Sequence, residues 1–206
     1  MKIIAIERTA GNWSKEFDRT IDSNEIVSPA LLPTSLIADS AIVRVNTPLF
    51  VPDFAADWSL IIAPAYIIGR LGKSIAPRFA QRYIAGCRLV ARLLPSSDVD
   101  GATVSGLAAT FDGAIALGAE LDVSSMAGRL EIKTVHESVH PDKACLDVEA
   151  DMFEIEKTIA LVSRYTMLRT GDLIVPCSLP LQVKPMVDTR LKVTINGSEA
   201  MNLKIK

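Results

Sequence analysis

The sequence has few cysteines and few aromatic residues. Its 206 residues include three cysteines, Cys87, Cys145 and Cys177, an odd number at wide spacing. This pattern argues against a disulfide framework and favours reduced core cysteines in a cytoplasmic protein. Aromatic residues make up 5% of the chain, so valine, isoleucine, leucine and alanine must build most of the core.

Long apolar runs and an excess of one charge are also missing. Hydrophobic residues make up 49% of the chain, yet no apolar run reaches about 18 residues, so no membrane span is predicted. The net charge of -2 leaves no basic footprint for nucleic acid. Residues 1–7 lack the long apolar region and cleavage site of a signal peptide and predict a first strand instead. We expect a cytoplasmic protein that binds neither membranes nor nucleic acid.

The clearest element is the apolar run at 60–68, whose length suits a fully buried strand. Two glycines follow it, and Ser74 is a good N-cap for a short helix. The segment 87–94 predicts another strand, with Arg88 and Arg92 on the same face.

Short strands and one long helix complete the pattern. Further strands are predicted at 2–6, 41–45, 130–135, 145–148 and 173–175. Residues 154–165 have helical periodicity, with an apolar stripe at Ile155, Ile159 and Val162 and with Lys157 largely on the other side. Asn196-Gly197 predicts a type I′ hairpin between 191–195 and 201–205. A short helical turn is expected at 13–17 and a polar loop at 95–106. These elements predict a β-rich α+β domain.

A set of motifs follows the buried run in a fixed order. Arg70-Leu71-Gly72-Lys73 comes first, then 75–80, then Arg82-Tyr83. Five further segments of the chain belong to the same set of motifs: 50–54, 111–113, 150–152, 162–165 and 170–174. In this order and spacing they resemble the small bacterial members of the fumarylacetoacetate hydrolase family.

The resemblance covers nearly the whole chain. It implies a mixed β-roll, barrel-like fold of the family's C-terminal domain with few helices. It also implies a single domain over 1–206, with 1–45 as a small N-terminal extension packed on it. Family members are usually homodimers, so we expect a homodimer, or pairing with an active paralogue through the same surface. They cleave, isomerise or decarboxylate 2-oxo acids and β-diketo acids.

The family's metal ligands are replaced in this sequence. In the family, a Glu-x-Glu pair and an Asp on the next strand hold a divalent cation, which stabilises negative charge on the enolate of the substrate. The Glu-x-Glu positions fall on Ile61 and Ala63, and the Asp position falls on Arg92. No acidic residue lies within 58–68 or 84–97. The resemblance therefore implies that the Mg²⁺ or Mn²⁺ site is lost and that no cofactor is used.

Other functional positions of the family are replaced as well. The histidine that activates water falls on Trp13, and the pocket lysine falls on Ala109. The loop that grips the substrate carboxylate falls on 176–179, where only Ser178 keeps a hydroxyl. We expect the Trp13 indole to fill the vacated pocket, because it excludes water well.

Four residues are candidates for a remaining pocket: Arg92, Ser178, Trp13 and Asp53. Arg92 places a guanidinium where the metal charge would be and could bind a small carboxylate ligand bidentately. Two other interpretations of Arg92 stay open: an ion pair with Asp53 or Asp57, and a surface arginine with a buried stem. Asp53 suits a turn or pairing role better than a catalytic one.

Two functions stay open at this point. The first is a catalytically inactive protein of this family with a structural, regulatory or ligand-binding role. The second is a metal-independent hydrolase, isomerase or decarboxylase, similar to 2-hydroxyhepta-2,4-diene-1,7-dioate isomerase. It would act on a small 2-oxo or dicarboxylic acid through Arg92 and Ser178. His136 and His140 are four residues apart, but Pro141 predicts a solvated loop rather than a metal site.

Overall fold

The computed structural model describes residues 1–6, 34–43, 47–96, 110–121, 129–136, 142–176 and 181–206. The described strands are β1 (Ile3–Ile6), β2 (Thr34–Ile37), β3 (Trp58–Ile68), β4 (Ile84–Pro95), β5 (Ile115–Leu121), β6 (Arg129–His136), β7 (Asp142–Asp147), β8 (Leu173–Val175), β9 (Leu181–Val183), β10 (Arg190–Ile195) and β11 (Ser198–Lys204). The described α-helices are α1 (Pro77–Ala80) and α2 (Val148–Tyr165). Strands thus dominate, which confirms the β-rich α+β class. Neither of these helices is long and apolar enough to cross a membrane.

The strands form two sheets. The larger sheet has seven strands in the order β2-β1-β8-β3-β4-β5, with β9 also pairing to β3. It is mixed, because β1 runs parallel to β8 whereas β3 and β4 are antiparallel. The smaller sheet is antiparallel, in the order β11-β10-β6-β7. The strand predicted at the N-terminus is therefore an interior member of the larger sheet.

Strand β3 is buried on both faces, as its unbroken apolar sequence predicts. Leu60 and Ile62 belong to the core that also contains residues of α2 and of the β10–β11 hairpin. Ala63 and Ala65 belong to a second apolar cluster on the opposite face. Pro64 lies between the segments of β3 that pair with β9 and with β8. Its missing N–H therefore interrupts neither of those ladders.

The long helix begins earlier than its periodicity suggests. It spans Val148–Tyr165 rather than 154–165. The predicted stripe is confirmed, since Ile155, Ile159 and Val162 are buried. The placement of Lys157 on the other side is wrong, because only 7% of its surface is exposed. The helix contacts both α1 and β6, which makes its buried arc wider than a single stripe.

Two local predictions fail for tertiary reasons. Ser74 does not cap the short helix, which begins at Pro77 with Ala76 as N-cap. Ser74 instead has a φ of 53°, and its N–H donates to the carbonyl of Ser163 at 2.8 Å. The predicted strand at 41–45 is also wrong in its described part. Asp39–Ala41 is a 3₁₀ turn, and only Ile42 forms an isolated bridge to the larger sheet.

The C-terminal hairpin is confirmed. Asn196 and Gly197 have φ angles of 48° and 83°, as a type I′ turn requires at both central positions. The second strand begins directly after the turn, at Ser198. The predicted turn at 13–17 lies outside the described residues, and so does the predicted polar loop at 95–106 from residue 97 onward. At its start the loop prediction is wrong, because Pro95 is the last residue of β4.

Gly72 is a packing residue of the motif that carries the family resemblance. Its N–H and carbonyl both bond to Leu168, at 3.0 and 2.8 Å. A Cβ at this position would lie 2.5 Å from the ring of Tyr83 and 2.8 Å from Ile75. The ring of Tyr83 can therefore pack this closely against the backbone only because residue 72 is a glycine.

We expect Gly72→Ala to lower the free energy of unfolding by about 1–3 kcal/mol, because the added methyl overpacks against the tyrosine ring. Urea denaturation would measure the change. The control is Lys73→Ala, since Lys73 is exposed and its truncation should change stability by less than about 0.5 kcal/mol. Equal stability of both variants would contradict the packing role of the glycine.

Candidate functional site

Strands β3 and β4 bring three predicted positions together on one face of the larger sheet. In the register between them, Ile61 is the partner of Arg92, and Ala63 is the partner of Val90. Alternate residues of a strand share a face, so Ile61, Ala63 and Arg92 converge. Two adjacent strands can present three ligands to one ion in this way, and here the same positions carry two hydrocarbon side chains and one guanidinium.

The three residues are closed off from solvent. Ile61, Ala63 and Arg92 expose 8%, 3% and 4% of their surfaces. The interpretation of Arg92 as a surface arginine is therefore wrong. On its other side, Arg92 is the register partner of Ile115 on β5, which adds a further aliphatic neighbour.

Neutral polar side chains border this face at one end. Ser59 lies two residues before Ile61, and its hydroxyl is 3.1 Å from the hydroxyl of Ser96. The side-chain amide of Gln182, whose residue is the register partner of Ile61 on β9, donates to the Ser59 oxygen at 3.0 Å. This face therefore offers hydroxyl and N–H groups beside a buried cation, a set suited to a carboxylate.

The same residues do not fit a divalent metal. Mg²⁺ and Mn²⁺ require oxygen ligands, preferably carboxylates. Ile61 and Ala63 supply no donor atom, and the guanidinium of Arg92 carries no acceptor. Within the described ranges, no three His, Cys, Asp or Glu side chains lie close enough to hold a metal ion.

The remaining candidates divide into two groups. Asp53 lies on an exposed bend before β3. Asp57, the other acid suggested as a partner of Arg92, accepts a bond from Lys184 at 3.4 Å. Trp13 and Ser178 lie outside the described residues, so their predicted roles stay predictions.

Two further segments of the resemblance meet around one tryptophan. The rings of Phe54 and Phe111 lie 4.9 and 5.6 Å from the ring of Trp58, each in an edge-to-face arrangement. The two phenylalanine rings are 5.4 Å apart. Such contacts contribute to stability beyond the apolar area that the rings bury. The segments 50–54 and 111–113 therefore contribute packing at this end of β3.

Several solved structures have the same architecture as this chain. A protein from Yersinia pestis CO92 assigned to the fumarylacetoacetate hydrolase family is 17% identical, with a TM-score of 0.73. The match covers 100% of this chain and 93% of that chain. This chain has the fumarylacetoacetate hydrolase fold. The predicted family fold is thus confirmed.

Two other structures with the fumarylacetoacetate hydrolase fold are enzymes by name. The 2-hydroxyhepta-2,4-diene-1,7-dioate isomerase from Mycobacterium marinum is 17% identical, with a TM-score of 0.74, and the match covers 99% of this chain and 73% of that one. The fumarylpyruvate hydrolase from Pseudomonas aeruginosa, in complex with Mn²⁺ and pyruvate, is 16% identical, with a TM-score of 0.68. That match covers 100% and 89% of the two chains. No protein-family model and no curated protein matches this sequence.

A basic pocket of about 470 Å³ was not predicted from the sequence. Arg88 on β4, Arg190 on β10 and Lys204 on β11 line it. The sequence contained one indication of this pocket, because Arg88 and Arg92 lie four residues apart on β4. Which other cations join Arg88 depends on the register of the hairpin and on its contact with β5. Neither is visible in the sequence.

Proposed function

We propose that this protein is a catalytically inactive relative of the fumarylacetoacetate hydrolase enzymes, with a structural or regulatory role that keeps the fold and not the chemistry. The observation that carries the proposal is the convergence of Ile61, Ala63 and Arg92 on one face of the sheet, because the resemblance places the family's metal ligands at these three positions. In the proposed protein, this place is packed like a core and holds a fixed positive charge.

Electrostatics supports the loss of the metal. A guanidinium and a divalent ion 4 Å apart would repel each other by roughly 8 kcal/mol at an effective dielectric constant of about 20. Neither Ile61 nor Ala63 supplies a carboxylate that would attract the ion. Without the metal, negative charge on a substrate enolate would lack the positive centre that the family supplies.

Arg92 can still serve a ligand. Its burial strengthens any interaction of the guanidinium with an anion, since water does not screen it there. In the proposed protein, a small carboxylate that reaches this face binds to Arg92, assisted by the hydroxyl of Ser59, which lies on the same face of the sheet. Ser178 remains a predicted contributor to the same pocket.

We further propose that the protein assembles as a homodimer, or with an active paralogue, in the cytoplasm. The fold likeness supports this, because the family's usual dimer surface belongs to the same fold. Sedimentation of the purified protein would test self-association: a dimer is expected, and a monomer at micromolar concentration would contradict it.

We expect the purified protein to contain less than stoichiometric Mg²⁺ and Mn²⁺, and to turn over neither fumarylpyruvate nor oxaloacetate above background. Elemental analysis and a continuous absorbance assay in the presence of added Mn²⁺ would measure both. The fumarylpyruvate hydrolase from Pseudomonas aeruginosa, prepared in the same way, is the positive control. One tightly bound metal ion per chain would overturn the proposal.

The second candidate is a metal-independent enzyme. The observation that favours it is the position of the buried Arg92 near the hydrogen-bonded Ser59, Ser96 and Gln182, a donor-rich surface that could stabilise a developing negative charge. Turnover that persists in EDTA and is abolished by Arg92→Met would establish this candidate. Absence of turnover in the same assay would rule out this enzyme and support the catalytically inactive protein.

A further inference from the structure

The basic pocket lies between the two sheets and has one sign of charge. Arg88 of the larger sheet and Arg190 and Lys204 of the smaller sheet line it. None of the described residues that line it is acidic. Ile61, Ala63 and Arg92 do not line it. The pocket is therefore separate from the three converging positions described above.

The cations of the hairpin stand directly opposite each other. Arg190 and Lys204 are register partners on β10 and β11. Like charges at directly opposed positions of a sheet are destabilising. Arg88 adds a third positive charge from another sheet. The repulsion among these charges lowers stability, and an anion bound among the three would offset it.

Nearby polar groups reduce this charge only in part. An Nη2 donor of Arg88 reaches Glu120 at 3.2 Å, and Glu120 is 61% exposed. Arg190 donates from Nη1 to the side-chain oxygen of Asn202 at 3.0 Å. This acceptor is uncharged, so it orients the guanidinium without neutralising it. Asp188 is paired with Lys206 and also feels the charge of Lys204.

Besides the three cations, the pocket wall combines aliphatic side chains with the polar Thr47 and Asn202; the aliphatic residues include Ile42, Val43, Leu117 and Leu203. Sites of a few hundred cubic ångströms with apolar walls and a few convergent polar groups are typical of small-molecule binding. We propose that this pocket binds a small organic anion that has two acidic groups on a short apolar skeleton. The proposal is independent of the proposed function, since metal content and turnover concern the other site.

The test is a calorimetric titration at low ionic strength with two probes, succinate and inorganic phosphate. We expect saturable one-to-one binding of at least one probe in the millimolar range or tighter. Arg190→Gln and Arg88→Gln should each raise the dissociation constant about tenfold or more, because each removes a charged contact to the anion. Stronger binding of succinate than of phosphate would support a ligand with two acidic groups on a short apolar skeleton, and stronger binding of phosphate would overturn that choice of ligand.

The matched control is Lys192→Gln, which removes the same charge from the same face of β10. Lys192 is two residues from Arg190 and does not line the pocket. Its dissociation constants should stay within about twofold of the wild type. An equal loss in all three variants, or the absence of saturable binding for both probes, would overturn the proposal. Arg190→Gln should also keep or raise the unfolding temperature, since it removes a repulsion, and a marked loss of stability would instead indicate a structural role.

Discussion

Replacing Ile61 and Ala63 with glutamate and Arg92 with aspartate is expected to create a Mn²⁺ site. The register of β3 and β4 already brings these positions together on one face. Three carboxylates there supply the oxygen ligands that a divalent ion needs. Without metal, the triple variant should be much less stable than the wild type, because its buried negative charges repel one another.

Metal should restore much of the stability of this triple variant. A ligand at a hundred times its dissociation constant stabilises the folded state by about 2.7 kcal/mol, which for a chain of this length raises the unfolding temperature by roughly 5–10 °C. Thermal unfolding at increasing Mn²⁺ concentration would measure this. The wild type should show no such rise. The inference that these positions correspond to a lost metal site would be wrong if the variant folds and its unfolding temperature does not rise with Mn²⁺.

The control for charge is the neutral set I61Q/A63Q/R92N, which keeps the size of the new side chains. Amide oxygens are weaker ligands than carboxylates, so this variant should show little response to Mn²⁺. A rise equal to that of the carboxylate variant would mean that the metal binds elsewhere on the protein.

The second large effect is expected from Asp172→Asn, which should destabilise the protein by about 3 kcal/mol. Asp172 is 2% exposed and accepts three hydrogen bonds. Its donors are the backbone N–H of Lys2 at 3.0 Å, the Nζ of Lys2 at 2.5 Å and the backbone N–H of Arg169 at 2.8 Å. Asparagine would place an NH₂ donor against at least one of these donors. Urea denaturation would measure the loss.

The same contacts make stability depend on pH. Burial alone would raise the pKa of Asp172, but the hydrogen bonds and the charge of Lys2, together with the N–H of Arg169, outweigh it and hold the pKa below its usual value. The contribution of the carboxylate is therefore complete above its unfolded pKa of about 3.9. It is lost as the pH falls through the lower folded pKa. As the pH falls through this range, the free energy of unfolding should decrease less in the Asp172→Asn variant than in the wild type.

An exposed ion pair provides the matched comparison. Asp188 accepts a bond from Lys206 at 2.5 Å, yet 69% of its side chain is exposed. Exposed pairs contribute little to stability. Asp188→Asn should therefore cost less than about 0.5 kcal/mol. Equal losses in the two variants would show that burial is not what makes Asp172 important.

The residues that match the family's motifs include some that hold the fold together. Gly72 is packed against Tyr83, and Asp172 ties the first strand to β8 through Lys2. Both belong to motifs that resemble the family, and both act on stability. Ile61 and Arg92 lie at positions where the resemblance predicts the family's metal ligands. A protein can keep a fold under selection for stability alone, because fold and chemistry depend on different residues.

The sequence by itself determined the elements whose signal is local. The apolar run at 60–68 predicts a buried strand because burial on both faces excludes polar residues. Asn196-Gly197 predicts its own turn, since both residues tolerate a positive φ. The residue types at Ile61, Ala63 and Arg92 can also be read from the sequence, and from them the resemblance predicts that the metal site is lost.

Only the tertiary structure decided the features that depend on distant partners. Ser74 is held by Ser163 rather than serving as a cap, and Lys157 is buried because its helix has neighbours on more than one side. Arg88, Arg190 and Lys204 share a pocket only because a register and a contact between sheets bring them together. The physical reason is that local propensities differ by about 1 kcal/mol or less per residue, and long-range packing outweighs them.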